Sequence, residues 1–120
     1  MRKQYLVLLL VTISLVSCLS LHTLNSTTYI KANDEFILGN NVHGRFNASV
    51  TNISNFDIII WQYPNDGGRH SPITLKPSMN TKVNVDKNTS LRFENNSNEQ
   101  VAVKLNVNGD IGLSMGYKNK

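Results

Sequence analysis

Alternation of apolar and polar residues with a period of two is the feature of this sequence that most restricts its fold. In residues 45–52, Phe46, Ala48 and Val50 alternate with polar residues. Because successive side chains of a β-strand point to opposite faces of the sheet, this segment is predicted to be a half-buried strand. The same alternation recurs in four later segments, 82–86, 91–94, 101–108 and 111–117.

Clusters of turn-forming residues separate these segments, for example Asn65–Gly68 and Asn108–Asp110. Their spacing of about 8–12 residues is typical of an all-β sandwich or barrel. The sequence therefore predicts an antiparallel β-sandwich, immunoglobulin-like or related, with about seven to eight strands. The Cys…Trp…Cys pattern of true immunoglobulin domains is missing, so the likeness is one of architecture only.

The segment 56–63 differs from the other predicted strands because it is apolar on both faces. Phe56, Ile58 and Ile60 form one face, whereas Ile59, Trp61 and Tyr63 form the other. A strand with two apolar faces is usually central in its sheet and covered on both sides. We therefore expect this segment to be a central strand.

The N-terminal segment has the composition of a secretory signal. Arg2 and Lys3 form a basic start, and residues 5–16 form an apolar stretch that ends at the small residue Ser17. The stretch is shorter than the roughly 20 apolar residues that span a bilayer, and polar residues return at His22. A cleaved leader is therefore favoured over a membrane-spanning anchor.

Within this leader, Leu15-Val16-Ser17-Cys18 resembles the lipobox of bacterial lipoproteins. The resemblance implies cleavage before Cys18 and attachment of lipid acyl chains, such as palmitate, to that cysteine. It divides the chain into a signal peptide (1–17), a lipidated N-terminus and tether (18–28) and a β-sandwich domain (29–120). The resemblance covers the leader alone, and no residues of the mature domain carry a resemblance to a particular family.

The residues after Cys18 bear on localisation. Leu19 replaces the aspartate that favours inner-membrane retention in enteric bacteria, and residues 19–22 lack an acidic surface-export stretch. The predicted location is the bacterial cell envelope, at the outer membrane and facing the periplasm. The alternative is plain secretion, with cleavage after Cys18 or Ser20. Cys18 is the only cysteine, so the domain must fold without an internal disulfide.

Charge argues against a nucleic-acid partner. The formal net charge of the chain is +4, and loss of Arg2 and Lys3 leaves 10 basic residues against 8 acidic ones, or +2. The remaining basic residues are scattered along the sequence, whereas nucleic-acid binding requires a clustered basic face.

The sequence predicts no catalytic residues, no cofactor and no metal site. A Gly-x-Ser-x-Gly nucleophile motif is missing, and His43, His70, Met79 and Met115 lack the spacing of a copper-binding sandwich protein. Asp57 lies within a strongly apolar predicted strand, residues 56–61, where it is either a buried acid or a solvent-facing one.

The best candidate binding residues are Trp61, Tyr63, Arg69 and His70, which flank a glycine turn. Two aromatic rings followed by Arg and His form a platform suited to a sugar or a peptide, since these side chains stack and donate hydrogen bonds. The alternative is that Trp61 fills the core and the turn is only a hairpin loop.

Together these features predict a small lipid-anchored envelope protein that acts as a binding or structural accessory module rather than as an enzyme. Its partners would be the membrane, through lipid on Cys18, and a protein or carbohydrate ligand. The alternative is an inhibitor or immunity-type protein that binds a partner protein through a protruding loop or an unpaired edge strand. An enzyme would require Asp57, His43 or His70 to converge in a pocket.

Overall fold

The fold consists of nine β-strands, and the computed structural model describes residues 23–119. The strands are β1 (Thr23–Ile30), β2 (Glu35–Leu38), β3 (Phe46–Asn52), β4 (Ile58–Pro64), β5 (His70–Leu75), β6 (Asn80–Val85), β7 (Thr89–Glu94), β8 (Val101–Gly109) and β9 (Met115–Tyr117). The described part of the chain contains no helix.

The strands form two antiparallel sheets. The four-stranded sheet has the order β1-β8-β3-β6, and the five-stranded sheet has the order β5-β4-β7-β2-β9. Within the described residues, only the connection from β4 to β5 stays within one sheet, and every other connection crosses to the opposite sheet. This arrangement of eight strands, extended by β9, is the connectivity of a jelly roll.

The prediction of an all-β antiparallel sandwich is confirmed. Residues 23–119 contain nine strands instead of the predicted seven or eight, and their connectivity is that of a jelly roll. Strand lengths and turn spacings are similar in jelly rolls and immunoglobulin-like sandwiches, so the sequence pattern does not distinguish the two. Segment 56–63 corresponds to β4, which lies inside its sheet between β5 and β7, as expected.

The core lies between the two sheets and is built from the apolar phase of each strand. Four of the five predicted alternating segments place their apolar residues inward, for example Phe46, Ala48 and Val50 of β3, whereas in segment 111–117 Met115 and Tyr117 are exposed. The largest fully buried side chains are Phe36, Phe46, Phe93, Ile30, Leu38, Ile58, Ile60, Leu75, Leu91, Val50, Val101 and Val103. This continuous apolar layer holds the fold together without a disulfide.

Two predicted boundaries differ from the structure. Residues 23–28, assigned from sequence to the tether, form most of β1, so they belong to the sandwich. The inward positions of β1 include the small polar residues Ser26 and Thr28, whose hydroxyl oxygens lie 3.2 Å apart, so the apolar alternation is weak there. The last strand is shorter than the predicted 111–117 segment, and Met115 is exposed. The leader (1–17) and Cys18 lie outside the described residues.

The connection from β7 to β8 is held by the buried side chain of Asn95, which is 0% exposed. Its amide nitrogen donates to the carbonyl oxygens of Ile30, Lys31 and Glu99 at 3.1, 2.9 and 2.7 Å. Its side-chain oxygen accepts hydrogen bonds from the backbone N–H and hydroxyl of Ser97. Asn95 therefore ties the end of β1 to the corner at which the chain crosses between sheets.

The connection from β3 to β4 uses the same Asn-x-Ser arrangement. Asn52 is also 0% exposed, and its amide nitrogen donates to the carbonyl oxygens of Phe56 and Leu75 at 2.7 and 2.9 Å. Its side-chain oxygen accepts from the backbone N–H and hydroxyl of Ser54. A buried asparagine thus satisfies backbone groups at both corners, where ladder hydrogen bonds end.

A carboxylate organises the opposite end of the sandwich. Asp110 accepts hydrogen bonds from the backbone N–H groups of Gly44 at 2.6 Å and Gly112 at 2.8 Å. These two hydrogen bonds hold the pKa of Asp110 below its ordinary value, because they stabilise the ionised carboxylate. Gly109 precedes it at a φ of 99°, where a Cβ atom would lie 2.8 Å from the carbonyl oxygen of Arg45.

Replacement of Asn95 tests the role of the corner. The substitution Asn95→Ala removes the partners of buried carbonyl groups, so we expect the free energy of unfolding to fall by about 1–3 kcal/mol. Asn96→Ala, at the exposed neighbouring position, serves as the control and should be nearly neutral. Urea denaturation of both variants measures the difference, and equal stability of the two would refute a structural role for Asn95.

Candidate functional site

Three of the four predicted binding residues, Trp61, Tyr63 and Arg69, lie on the outer side of the five-stranded sheet. Ile58 and Ile60 of β4 point into the core, so Trp61 and Tyr63, in register with Arg92 and Ser90 of β7, belong to the opposite face. Trp61 is only 9% exposed, yet it does not fill the core between the sheets. Its ring is instead covered from outside by charged side chains.

Two guanidinium groups cover the aromatic pair. Arg69 lies over the Trp61 ring at 4.8 Å from the ring centroid, and Arg92 lies 5.4 Å from the same centroid. Arg92 also lies 4.6 Å from the centroid of Tyr63. The two rings meet edge to face at 5.9 Å. These distances are those of cation–π and aromatic contacts, which orient all four side chains.

Each arginine is held in place by a glutamate. Arg69 makes a bidentate pair with Glu94, at 3.0 and 3.3 Å, and Arg92 pairs with Glu35 at 3.2 Å. The Glu35 side chain is 8% exposed, whereas that of Arg69 is 43% exposed. Arg92 is therefore a fixed part of the sheet surface, and Arg69 is the more accessible member. The cluster of Trp61, Tyr63, Arg69 and Arg92 is called the arginine–aromatic cluster below.

Trp61 carries an unsatisfied donor. Among the buried side-chain nitrogen and oxygen atoms of residues 23–119, its indole Nε1 is the one without a hydrogen-bond partner. Leaving a buried donor unpaired costs about 1–3 kcal/mol, so such groups are uncommon and call for an explanation. An oxygen atom that reached this N–H from outside the sheet would recover that free energy.

A cleft adjoins the cluster at Tyr63, which is 40% exposed. The cleft has a volume of about 320 Å³ and lies between residues 39–42, residues 63–65 and two residues of the β6–β7 region, Asn88 and Ser90. Tyr63 thus connects the arginine–aromatic cluster to a polar cavity at the end of the sandwich.

The fourth predicted residue, His70, does not join the cluster. It is exposed at the start of β5, opposite Gln62, and among the described residues its imidazole makes no hydrogen bond. Gly67 and Gly68, with φ of 84° and 90°, turn the chain between Tyr63 and Arg69 so that Arg69 folds back over Trp61. The structure therefore brings together Trp61, Tyr63 and Arg69 but leaves His70 aside.

Sequence reasoning missed Arg92, Glu35 and Glu94. The alternation Leu91-Arg92-Phe93-Glu94 places Arg92 and Glu94 on an outer face, but nothing local in the sequence indicates that β7 lies beside β4. Only the sheet order places these three charges at the aromatic pair.

The other candidate reactive residues lie apart from one another. The ring nitrogens of His43 lie 2.6 Å from the carbonyl oxygen of Gly44 and 2.9 Å from that of Thr89, so backbone groups occupy both. Asp57 is exposed just before β4, at the opposite end of the sandwich from His43 and His70.

Residues 23–119 contain no group of three or more His, Cys, Asp or Glu placed to hold a metal ion. Over the same range, no helix qualifies as a membrane span.

No known protein family matches this sequence, and no curated protein matches it. Solved structures do resemble it. CapF from Staphylococcus aureus, a capsular polysaccharide assembling protein, aligns over 72% of this chain with 15% identity and a TM-score of 0.55. Procruciferin, an 11S globulin from Brassica napus, aligns over 80% with 11% identity and a TM-score of 0.54. This chain spans about a quarter of either protein, 24% and 23% respectively. At these identities the likeness identifies a β-sandwich fold alone.

Removal of each arginine tests the cluster. Trp61 is the only tryptophan, so intrinsic fluorescence reports on it directly. We expect Arg69→Ala to shift the emission to longer wavelength and increase acrylamide quenching, with a loss of stability of at most about 1 kcal/mol, because its ion pair is exposed. Arg92→Ala should destabilise the protein by about 1–3 kcal/mol, because buried Glu35 loses its partner.

Lys76→Ala, at an exposed position away from the cluster, is the control and should change neither spectrum nor stability. An Arg69→Ala variant with the emission and quenching of the original protein would contradict the proposed cover over Trp61.

Proposed function

We propose that this protein is a small lipid-anchored component of the bacterial cell envelope that binds another protein through its arginine–aromatic cluster. The observation that carries the proposal is the orphaned indole N–H of Trp61, buried beneath exposed Arg69 on the outer face of a sheet. A structural cluster would be expected to satisfy its own buried donor. A binding cluster can leave that donor for an incoming acceptor.

The composition of the cluster favours a protein partner over a sugar. Trp, Tyr and Arg are the residues that carry most binding energy at protein interfaces. Because Trp61 is 9% exposed, it does not offer the open ring face on which a sugar would stack. The accessible groups are instead Tyr63 and the guanidinium of Arg69, which suit an acidic or carbonyl-rich protein surface.

Exchange of carboxylates supplies a mechanism for recognition. The Arg69–Glu94 pair is solvent-accessible, and exposed pairs contribute only about 0–1 kcal/mol, so a partner carboxylate can compete with Glu94. Displacement of Arg69 would uncover Trp61 and allow a partner oxygen to accept its N–H. The cleft beside Tyr63 would then receive a neighbouring side chain of the partner.

The anchor would place this site close to the membrane. If lipid is attached at Cys18, residues 19–22 separate it from β1, and the five residue steps from Cys18 to Thr23 span at most about 18 Å when fully extended. Thr23, Asn108, Asn47 and Asn84 share one row of the four-stranded sheet. The side-chain amide of Gln62, near the end of β4, donates to the carbonyl oxygen of Asn84 at 3.4 Å, so the loop that carries Arg69 lies at the same end of the sandwich as Thr23. The proposed partner is therefore a protein in or on the same membrane.

A non-catalytic role is part of the proposal. It is supported by the separation of Asp57 from His43 and His70 and by the engagement of both His43 ring nitrogens with backbone oxygens.

Acyl labelling tests the anchor. We expect the full-length chain, expressed in a bacterial host with radiolabelled or clickable palmitate, to incorporate label, and the Cys18→Ser variant to lose it completely. The serine variant should also move from the membrane fraction to the soluble fraction, because acyl chains supply the membrane affinity. Equal labelling of both proteins, or none in either, would refute lipidation at Cys18.

Site-specific photo-crosslinking tests the interface. A photoreactive amino acid at exposed Thr74, in register with Ile59 on the outer face of the five-stranded sheet, should yield one discrete protein adduct in host membranes. We expect Arg69→Glu to reduce that adduct at least tenfold, because an arginine at the centre of an interface commonly contributes 2 kcal/mol or more, about thirtyfold in affinity.

The same reactive group at Asn47, on the outer face of the other sheet, is the matched control. No adduct from Thr74, identical adducts from both positions, or an adduct insensitive to Arg69→Glu would each overturn the protein-binding proposal.

A further inference from the structure

The asparagines of this protein are distributed unevenly between the two sheets. The sequence contains 17 asparagines, and the five strands of the five-stranded sheet contain none. All the asparagines within strands belong to the four-stranded sheet, and apart from buried Asn52 they share its outer face. These six residues are Asn25, Asn47, Asn80, Asn84, Asn106 and Asn108.

The register arranges this face as a regular grid. Across one row, Asn25 pairs with Asn106, which pairs with Ser49, which pairs with Lys82. The rows on either side are built in the same way, so twelve outward positions carry six Asn, three Thr, one Ser and two Lys. This set of twelve positions is called the asparagine face.

The asparagines oppose the local preference of a β-strand. Asn is depleted in strands, where Thr and Val are favoured, so six of them on one face weaken the intrinsic strand propensity. A general excess of asparagine does not account for the pattern, because the five-stranded sheet, with its own outward positions, carries none. The amide groups on this face therefore call for a functional reason.

Hydrogen bonds between neighbouring side chains orient the amides. The Thr23 hydroxyl donates to Asn108 at 2.9 Å, and the amide of Asn106 donates to the side-chain oxygen of Asn25. The amide of Asn80 donates to Ser49 and Thr51 at 3.0 and 2.8 Å. Each amide has two donor hydrogens and two acceptor lone pairs, so oriented groups remain free for a ligand. Prior ordering of the side chains reduces the entropy lost on binding.

A groove crosses this face. It has a volume of about 480 Å³ and runs over β8 between β1 and β3, with Asn25, Thr27, Ser49, Thr51, Lys104 and Asn106 among its lining residues. Four strands at about 4.8 Å spacing make the face roughly 14 Å wide, enough for several units of an extended polymer.

The chemistry of the face selects the class of ligand. A protein interface would be expected to have an apolar or aromatic centre, and single-stranded nucleic acid would require a row of stacking rings. The twelve positions include no apolar or aromatic residue, and Tyr29 and Ala102, which pair in the next outward row of β1 and β8, lie at the margin of the face. Amides and hydroxyls are complementary to the hydroxyl groups of a sugar chain. Lys82 and Lys104 lie about 12 Å apart with no carboxylate among the twelve positions, which adds complementarity to negative charge. At the margin, Asp86 is paired with Arg45 at 2.9 Å.

We propose that the asparagine face binds an acidic polysaccharide, a glycan chain that carries carboxylate or phosphate groups along its length. The amides and hydroxyls bind the sugar hydroxyls, and Lys82 and Lys104 bind the negative groups. This site is on the opposite side of the sandwich from the arginine–aromatic cluster, so it does not depend on the proposed protein partner. The protein would then hold a glycan on one sheet and a protein on the other.

Affinity electrophoresis of the full-length chain in non-ionic detergent tests this proposal. The probes are polygalacturonate and alginate as acidic polymers and dextran as the neutral one. We expect at least one acidic polymer to retard the protein and dextran to retard it less. The double variant Asn25→Ala/Asn106→Ala should weaken the retention about tenfold, since it removes several hydrogen bonds. Lys82→Glu/Lys104→Glu should weaken it at least as much.

The matched controls are Asn55→Ala/Asn98→Ala and Lys76→Glu/Lys118→Glu, which make the same changes at exposed positions outside the face. Both should retain the original binding, and the fluorescence of Trp61 confirms that every variant is folded. Failure of both acidic polymers, equal retention by dextran, or equal losses in the controls would overturn the proposal. Loss in the lysine variant alone would also overturn it, because that result indicates general charge attraction without recognition by the asparagines.

Discussion

The buried side-chain amides of Asn52 and Asn95 are the interactions on which the rest of the sandwich depends. In a jelly roll almost every connection crosses from one sheet to the other, and each crossing takes backbone groups out of the strand ladders. Two of these crossings contain the same Asn-x-Ser arrangement, in which one side chain satisfies carbonyl groups of neighbouring strands and a serine at its own corner. Because buried polar groups without partners are costly, these amides permit the crossings that align the two sheets.

The alignment leaves two outer faces with contrasting chemistry. The five-stranded sheet presents two edge-to-face rings and ion-paired arginines around Trp61, whereas the four-stranded sheet presents amides, hydroxyls and two lysines. Both faces rest on the same apolar core, so each can vary without disturbing the other. The two faces would allow the protein to hold the two proposed ligands at the same time, one on each sheet.

The cluster around Trp61 illustrates how much of the site could be predicted. Trp61, Tyr63 and Arg69 are close in sequence, and the glycine turn between them indicated that they would meet. His70 follows Arg69 by one position, and its side chain lies away from the rings. Arg92, Glu35 and Glu94 could not be predicted, because they come from strands that only the sheet order places beside β4. Only the structure could decide between the two interpretations of Trp61, as a binding platform or as a core residue. Its ring is buried, but it lies under guanidinium groups and not between the sheets.

The sequence by itself determined the all-β class, the inward residues of most strands and the central position of β4, because strand periodicity and two-sided apolarity are local properties. It did not reveal most of β1, whose inward positions include the small polar residues Ser26 and Thr28, nor the short extent of β9. Only the tertiary structure decided the jelly-roll connectivity and therefore the neighbours of each strand. Those neighbours place Arg92 over the aromatic pair and gather six asparagines from four strands on one face, since pairing between distant segments leaves no mark in the local pattern.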